Sequence, residues 1–215
     1  MNRVVFLCVF TVLVTIARAQ TVAPDQRFGI TFSAGTVFND PSSWSFIYGP
    51  SNVLVRPGFS GGVGLEFGPV QVSGTTELRF SSDVCYSQTQ TGVQDIADGT
   101  YLARWKRIPI MAWTKLTTRT TLSPYVRVGL GGMKVNFEEI ISSNPIWSTS
   151  LNYWAFAWGM GAGLDWTLSD MFQMSISVDV IGAEGTQTIL LNGYERGLFI
   201  RTVEIPVGIR STVSI

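Results

Sequence analysis

Strict alternation of apolar and polar side chains is the feature that most constrains how this chain folds. Residues 172–180 read Phe-Gln-Met-Ser-Ile-Ser-Val-Asp-Val, so every second side chain is apolar. A period of two places the apolar side chains on one face of an extended strand and the polar ones on the other. The pattern recurs in about eight segments separated by turn residues, and the sequence therefore predicts an all-β fold.

The charged residues indicate which way the two faces point. Nearly all mid-strand charges lie on the polar faces. In a sandwich or a lipocalin-like barrel these faces meet water, whereas in a transmembrane barrel they point inward and the apolar faces meet lipid. Charged residues make up 14% of the chain, which is low against about 25% in soluble domains. This composition favours the transmembrane barrel.

The N-terminal segment has the parts of a secretory signal peptide. Arg3 supplies a basic start, residues 4–16 carry no charge, and Ala17-Arg18-Ala19 offers a small-residue cleavage site. The apolar run is too short for a membrane-spanning helix, so a membrane anchor is the weaker alternative. We expect residues 1–19 to be the signal peptide and residues 20–215 to form one outer-membrane barrel domain.

Turn signals between the alternating segments predict the order of strands and connections. Gly68-Pro69 is predicted to be a tight turn, and polar tracts predict long loops at about 39–55, 81–100, 138–150 and 182–197. Long and short connections then alternate, as in an up-and-down barrel with surface loops at one end. With strands of about ten residues, enough for a tilted crossing of the bilayer, we predict a closed antiparallel transmembrane barrel of about eight strands.

The predicted inward face carries equal numbers of acidic and basic residues. An eight-stranded barrel has an interior just wide enough for side chains, and an unpaired buried charge costs several kcal/mol. We therefore expect an interior network of ion pairs, with inward glycines leaving room for arginine; a small water-filled lumen is the alternative. The predicted network comprises Glu66, Glu77, Arg79, Arg107, Lys115, Arg127, Asp165, Asp179, Glu204 and Arg210.

Aromatic residues fall into two groups. Four lie on the outward face of one strand, where lipid contact and interfacial belts explain them better than a ligand platform does: Trp154, Phe156, Trp158 and Trp166. Three others lie in the first predicted loop, where either surface recognition or packing against the barrel rim is open: Trp44, Phe46 and Tyr48.

The sequence offers little for catalysis, cofactors or metals. The chain has no histidine, and Cys85 is the only cysteine outside the signal peptide, which argues against His-dependent hydrolysis and ordinary zinc sites. Asp83, Asp95, Asp98 and Glu138 have no calcium-loop spacing and are interpreted as solvated loop charges. The formal net charge is zero, so nothing favours nucleic acid as a partner. We expect a non-enzymatic protein without a cofactor.

Several segments resemble a known family. YVRVGLGG at 125–132, RIPI at 107–110, VEIPV at 203–207 and WGMGAGLD at 158–165 are similar to motifs of the small outer-membrane β-barrel domain. That family includes OmpA/OmpX-like barrels and the PorT-like proteins of Bacteroidota. The resemblance spans the mature chain and implies barrel architecture in the outer membrane, while it specifies activity poorly.

Taken together, these features predict a monomeric outer-membrane protein in contact with lipid. Its expected role is structural, adhesive or recognition-based, through extracellular loops. The alternatives are an envelope or secretion-system component of PorT type, which would dock envelope proteins, a narrow pore for small solutes, and a soluble lipocalin-like binder.

Overall fold

Eight antiparallel strands form one closed barrel. The computed structural model describes residues 27–39, 52–95, 99–141, 151–191 and 194–214. Consecutive strands pair in chain order, and β1 also pairs with β8, which closes the sheet. The predicted up-and-down barrel is confirmed. The strands are β1 Arg27–Asn39, β2 Asn52–Ser73, β3 Thr76–Asp95, β4 Gly99–Thr118, β5 Leu122–Ile141, β6 Leu151–Thr167, β7 Phe172–Leu191 and β8 Tyr194–Ser214.

The alternation in the sequence sets the direction of each side chain. On β7, Ser175, Ser177 and Asp179 are buried in the interior, whereas Ile176 and Val178 are exposed on the outer surface. Outward apolar and inward charged side chains are the polarity of a membrane barrel and the reverse of a lipocalin-like one. Among the described residues, no helix is long and apolar enough to cross a membrane.

The strands are longer than the predicted ten residues, and two predicted long loops are wrong. β3 continues through Asp95, and β7 and β8 occupy most of residues 182–197. Long and short connections therefore do not alternate strictly. On β3 the reason is a loss of contrast: from Asp83 to Gln90 both strand faces carry polar side chains, with Val84 and Tyr86 as exceptions on the outer face, so the period of two separates apolar from polar side chains poorly.

The predicted turn at Gly68-Pro69 is also wrong. β2 runs through both residues with a register shift between Phe67 and Val70, which marks a bulge. A bulge tolerates proline because the residue there does not need to donate a ladder hydrogen bond. The chain turns instead at Gly74-Thr75, where Gly74 has a φ of 40°, a left-handed conformation that glycine adopts readily.

The two ends of the barrel differ in their connections. The turn end carries the connections at 74–75, 119–121 and 168–171 together with the start of β1 and the end of β8. The loop end carries the connections at 40–51, 96–98, 142–150 and 192–193, which lie outside the described residues. Trp44, Phe46 and Tyr48 fall in the first of these.

Candidate functional site in the barrel interior and at its loop end

A first cluster of interior charges lies near the turn end. The Lys115 ammonium lies 2.9 Å from Asp165 and 3.4 Å from Glu66, and Arg79 lies 3.0 Å from Glu66 and 3.5 Å from Glu77. Asp165 is fully buried, and a buried carboxylate requires a positively charged partner, which Lys115 provides. One set of ion pairs therefore connects strands β2, β3, β4 and β6 across the barrel.

A second cluster occupies the middle of the barrel around Arg127. Its guanidinium donates two hydrogen bonds to Asp179, of 2.7 and 2.6 Å, and lies 3.3 Å from Asp83. Arg210 approaches the same Asp83 carboxylate at 2.7 Å. The Arg127 guanidinium also stacks on the Trp113 ring, 4.2 Å from its centroid, a favourable cation–π geometry. Arg127 is thus fixed both by two carboxylates and by the face of the Trp113 ring.

A third pair lies closer to the loop end. Arg107 lies 3.6 Å from Glu204, and the Ser87 hydroxyl donates a 2.7 Å hydrogen bond to the same carboxylate. The Arg107 guanidinium lies over the Trp105 ring at 5.1 Å. The third pair is therefore bounded by aromatic surface on its loop-end side.

The structure places each of the ten predicted network residues in one of these three groups. Asp83 is the member that sequence reasoning missed, because it was assigned to a solvated loop; in the structure it is buried on β3 between two arginines. The sequence did contain a sign of its position: Asp83 is separated by even numbers of residues from Ser81 and Ser87, which also point into the barrel on β3. Glu138 lies on the outer face of β5 with Lys106. The side chain of Asp95 and residue Asp98 lie outside the described part.

The barrel interior changes from charged to apolar towards the loop end. On β4 to β7 the inward side chains there are buried and form a single cluster, in which the rings of Trp105 and Phe137 lie 4.9 Å apart. We call this cluster the loop-end core. It comprises Trp105, Met111, Trp113, Met133, Val135, Phe137, Tyr153, Ala155, Ala157, Ile181 and Ala183.

The outer surface changes in the opposite sense. Towards the turn end, which we call the lower part of the barrel, Val126, Val128 and Leu130 of β5 are 56%, 63% and 60% exposed, as expected of side chains that meet lipid. Above them the outward residues of the same strand are Lys134, Asn136 and Glu138. On β4, too, the outward residues towards the loop end are Arg104 and Lys106, so on these two strands the polarity of the wall inverts, from membrane-like to that of a soluble barrel, whereas on β6 the outer face stays apolar as far as Trp154.

The predicted lipid-facing aromatic residues lie on the outer wall of β6. Trp154, Phe156 and Trp166 are exposed there, whereas Trp158 is half-buried. The indole of Trp158 lies against Gly182 of β7 and fills the space where a larger side chain would stand.

Inward glycines accommodate groups other than arginine. A Cβ built on Gly129 would lie 2.6 Å from Trp113, and one built on Gly163 would lie 2.6 Å from Tyr125. Gly64 is similarly close to Asp83. The expectation that these glycines make room for arginine is corrected, since they make room mainly for aromatic rings and carboxylates.

Little free space remains between these groups. A cavity of about 50 Å³ lies beside Arg127, Asp83 and Glu204 and reaches Cys85. Such a volume holds a few water molecules. No group of His, Cys, Asp and Glu side chains suited to a metal occurs in the part of the chain that the structure describes.

Fold and interior together define a small outer-membrane-type β-barrel filled by its own side chains. The chain belongs to the Outer membrane protein beta-barrel domain family, whose sequence profile matches residues 6–189. The predicted resemblance to this family is confirmed. Membership of its PorT-like or Bacteroidota branch stays a prediction.

The chain is similar to several solved structures at low sequence identity. Neisserial surface protein A is 11% identical with a TM-score of 0.50, covering 86% of this chain and 96% of that one. The outer membrane protein AlkL in lipid bilayers is 14% identical with a TM-score of 0.45, and the match covers 88% of this chain and 90% of that one. OprG from Pseudomonas aeruginosa is 16% identical with a TM-score of 0.44, and the match covers 86% of this chain and 95% of that one. No curated protein sequence matches the chain.

Proposed function

We propose that this protein is an outer-membrane surface protein whose barrel serves as a scaffold for recognition or adhesion by its loops. The main observation in favour of this proposal is the inversion of wall polarity between the turn end and the loop end. Where the outer surface turns polar, the inside turns apolar, so the upper barrel has a packed core of its own and suits an aqueous environment. Such a segment holds the loops away from the lipid.

Strand length supports the same conclusion. β3, β4, β5 and β7 each have 20 residues. At about 3.3 Å per residue and a tilt of about 40°, such a strand rises about 50 Å, against an apolar band of about 25 Å. Even with the turn-end residues subtracted, a substantial length remains beyond the band at the loop end.

The orientation follows from the general rule for these barrels. Short turns face the periplasm and longer loops face outward, so the turn end with the chain termini would lie in the periplasm. Residues 1–19 would direct export, and the mature chain would act as a monomer surrounded by outer-membrane lipid. The filled interior argues against a solute pore.

Tag insertion tests this orientation. A short epitope inserted within 142–150 should bind antibody on intact cells, and the same epitope at 168–171 should bind only after the outer membrane is permeabilised. Surface labelling of the second insertion, or no surface labelling of the first in a folded barrel, would contradict the proposal.

Loop replacement tests recognition itself. Replacing residues 40–50, which include Trp44, Phe46 and Tyr48, with a Gly-Ser linker should abolish adhesion of expressing cells to the surface that the intact protein binds. The same replacement should preserve the gel shift between unboiled and boiled samples that reports a folded barrel. Replacing residues 168–171 with a Gly-Ser linker of the same length provides the matched control at the turn end. Unchanged adhesion after replacement of all four loop-end connections would overturn a recognition role.

A further inference from the structure

Basic side chains gather on the outer wall where β4 and β5 leave the apolar band. Arg104 and Lys106 project outward from β4, and Lys134 projects outward from the neighbouring β5. Lys106 binds both Glu138 oxygens at 2.8 and 2.9 Å. With three positive charges and one negative charge, this patch has a net charge of +2. We call these residues the β4–β5 basic patch.

The patch stands directly at the edge of the apolar surface. Lys134 lies opposite Trp154 of β6, which is 47% exposed. One pair nearer the turn end, Gly132 lies opposite exposed Phe156 and beside exposed Ile110. The Trp154 ring covers Gly132 at ordinary van der Waals distance. Tryptophan at this height is typical of the interface between hydrocarbon and headgroups.

The positive charge excess lies on the β2–β5 side of the barrel, where exposed Arg56 of β2 stands two strands from Arg104 in the same cross-strand row. On the β7–β8 side, Arg201 is 3.4 Å from Glu184, so that pair is neutral. On β3 the outward residues of the same region are Gln88 and Gln90. Among the described side chains, Arg104 and Lys134 have no carboxylate within ion-pair distance. Two cations are therefore available to an external anion.

We propose that the β4–β5 basic patch binds the phosphate of an acylated lipid in the outer leaflet. Arg104 and Lys134 would hold the phosphate, since cations at the headgroup level attract anionic lipids and phosphate suits the guanidinium fork. The acyl chains would lie along Ile110, Leu130 and Phe156, immediately below. The proposal depends on the loop end facing the outer leaflet, which the tag insertions test separately.

Native mass spectrometry of the full barrel in detergent measures this binding. The probes are lipid A, a phosphorylated and acylated glucosamine disaccharide, and its dephosphorylated form. We expect lipid A to be retained more strongly than the dephosphorylated lipid. The double variant R104Q/K134Q should bind lipid A about tenfold or more weakly, because each basic residue contributes on the order of a factor of five. R201Q, which removes a cation elsewhere on the outer wall, should bind like the unaltered protein.

Three results of the lipid-binding measurements would overturn the proposal, and a competition experiment supplies a fourth. The three are equal retention of the two lipids, unchanged binding by R104Q/K134Q, and an equal loss in R201Q. Competition by millimolar inorganic phosphate as effective as that by lipid A would indicate a site for the free anion instead of a lipid. The gel-shift assay establishes that each variant is folded. If the double variant misfolds, the single variant K134Q replaces it, and we expect its affinity for lipid A to fall severalfold.

Discussion

At the scale of single residues, Arg127 is the side chain on which the central charges depend. Replacing it with leucine would leave Asp179 without its bidentate partner and remove one of two arginines from Asp83. Breaking a buried pair from one side costs about 3–5 kcal/mol. We therefore expect Arg127→Leu to lower the free energy of unfolding by about that amount, measured by urea titration in lipid vesicles.

An exposed arginine on the same barrel provides the control. Arg119 is 73% exposed in its side chain and lies 3.8 Å from Glu77, so Arg119→Gln should cost no more than about 1 kcal/mol. Removing both partners, as in R127L/D179L, should restore part of the stability, since no isolated charge remains between them. Equal losses in R127L and R119Q would show that the central cluster does not stabilise the fold.

Cys85 reports whether water fills the interior. It lies between the central charges and the loop-end core, 3.9 Å from the Ser33 hydroxyl and beside the small cavity. Cys85 is half-buried on the inward face, and we expect a charged, bulky maleimide to label it in the folded barrel at least about tenfold more slowly than after denaturation, because thiol reactivity depends on access and a filled interior hinders a bulky reagent. Equal rates, followed by mass spectrometry, would indicate an open lumen.

At the scale of the strands, small residues on β5 determine how aromatic rings fit inside. The Gly129 position faces Trp113 so closely that a methyl group requires the ring to move, whereas Gly132 has only ordinary neighbours beyond 3.5 Å. Overpacking of this kind costs about 1–3 kcal/mol. Gly129→Ala should therefore destabilise the barrel by about that amount in the urea titration.

Gly132→Ala is the matched substitution, since it lies on the same strand and changes the same group. It should alter stability by less than about 1 kcal/mol. If both substitutions had the same effect, strand propensity rather than the contact with Trp113 would explain it.

The strands also show where sequence patterns lose information. Alternation identified β7 well, because its two faces differ strongly in polarity over residues 172–180. It failed on β3 beyond Phe80, where serine, aspartate and glutamine occupy both faces. A bulge at Gly68-Pro69 has the composition of a turn, and only the pairing with β3 distinguishes the two.

At the scale of the whole molecule, the sequence predicted the inward direction of the charges because a chain with a low charged fraction favours apolar faces towards lipid, and it predicted closure because a sheet in lipid cannot leave its edges unpaired. It did not predict which charges pair. Asp165 and Lys115 lie 50 positions apart in sequence but 2.9 Å apart in space, a distance that depends on the register of every strand between them. The loop-end core was missed for a related reason: Trp105, Val135 and Phe137 alternate with polar residues as lipid-facing residues do, but on the opposite face.

The inverted wall has a consequence for how the protein can vary. Since the upper strands are held by their own apolar core and not by lipid, insertions and replacements between them need not disturb the part that crosses the membrane. Natural sequence change would then concentrate at the four loop-end connections, while the ion-paired lower half resists it. The same separation would suit engineering, in which a foreign peptide is carried on the upper rim for display on living cells.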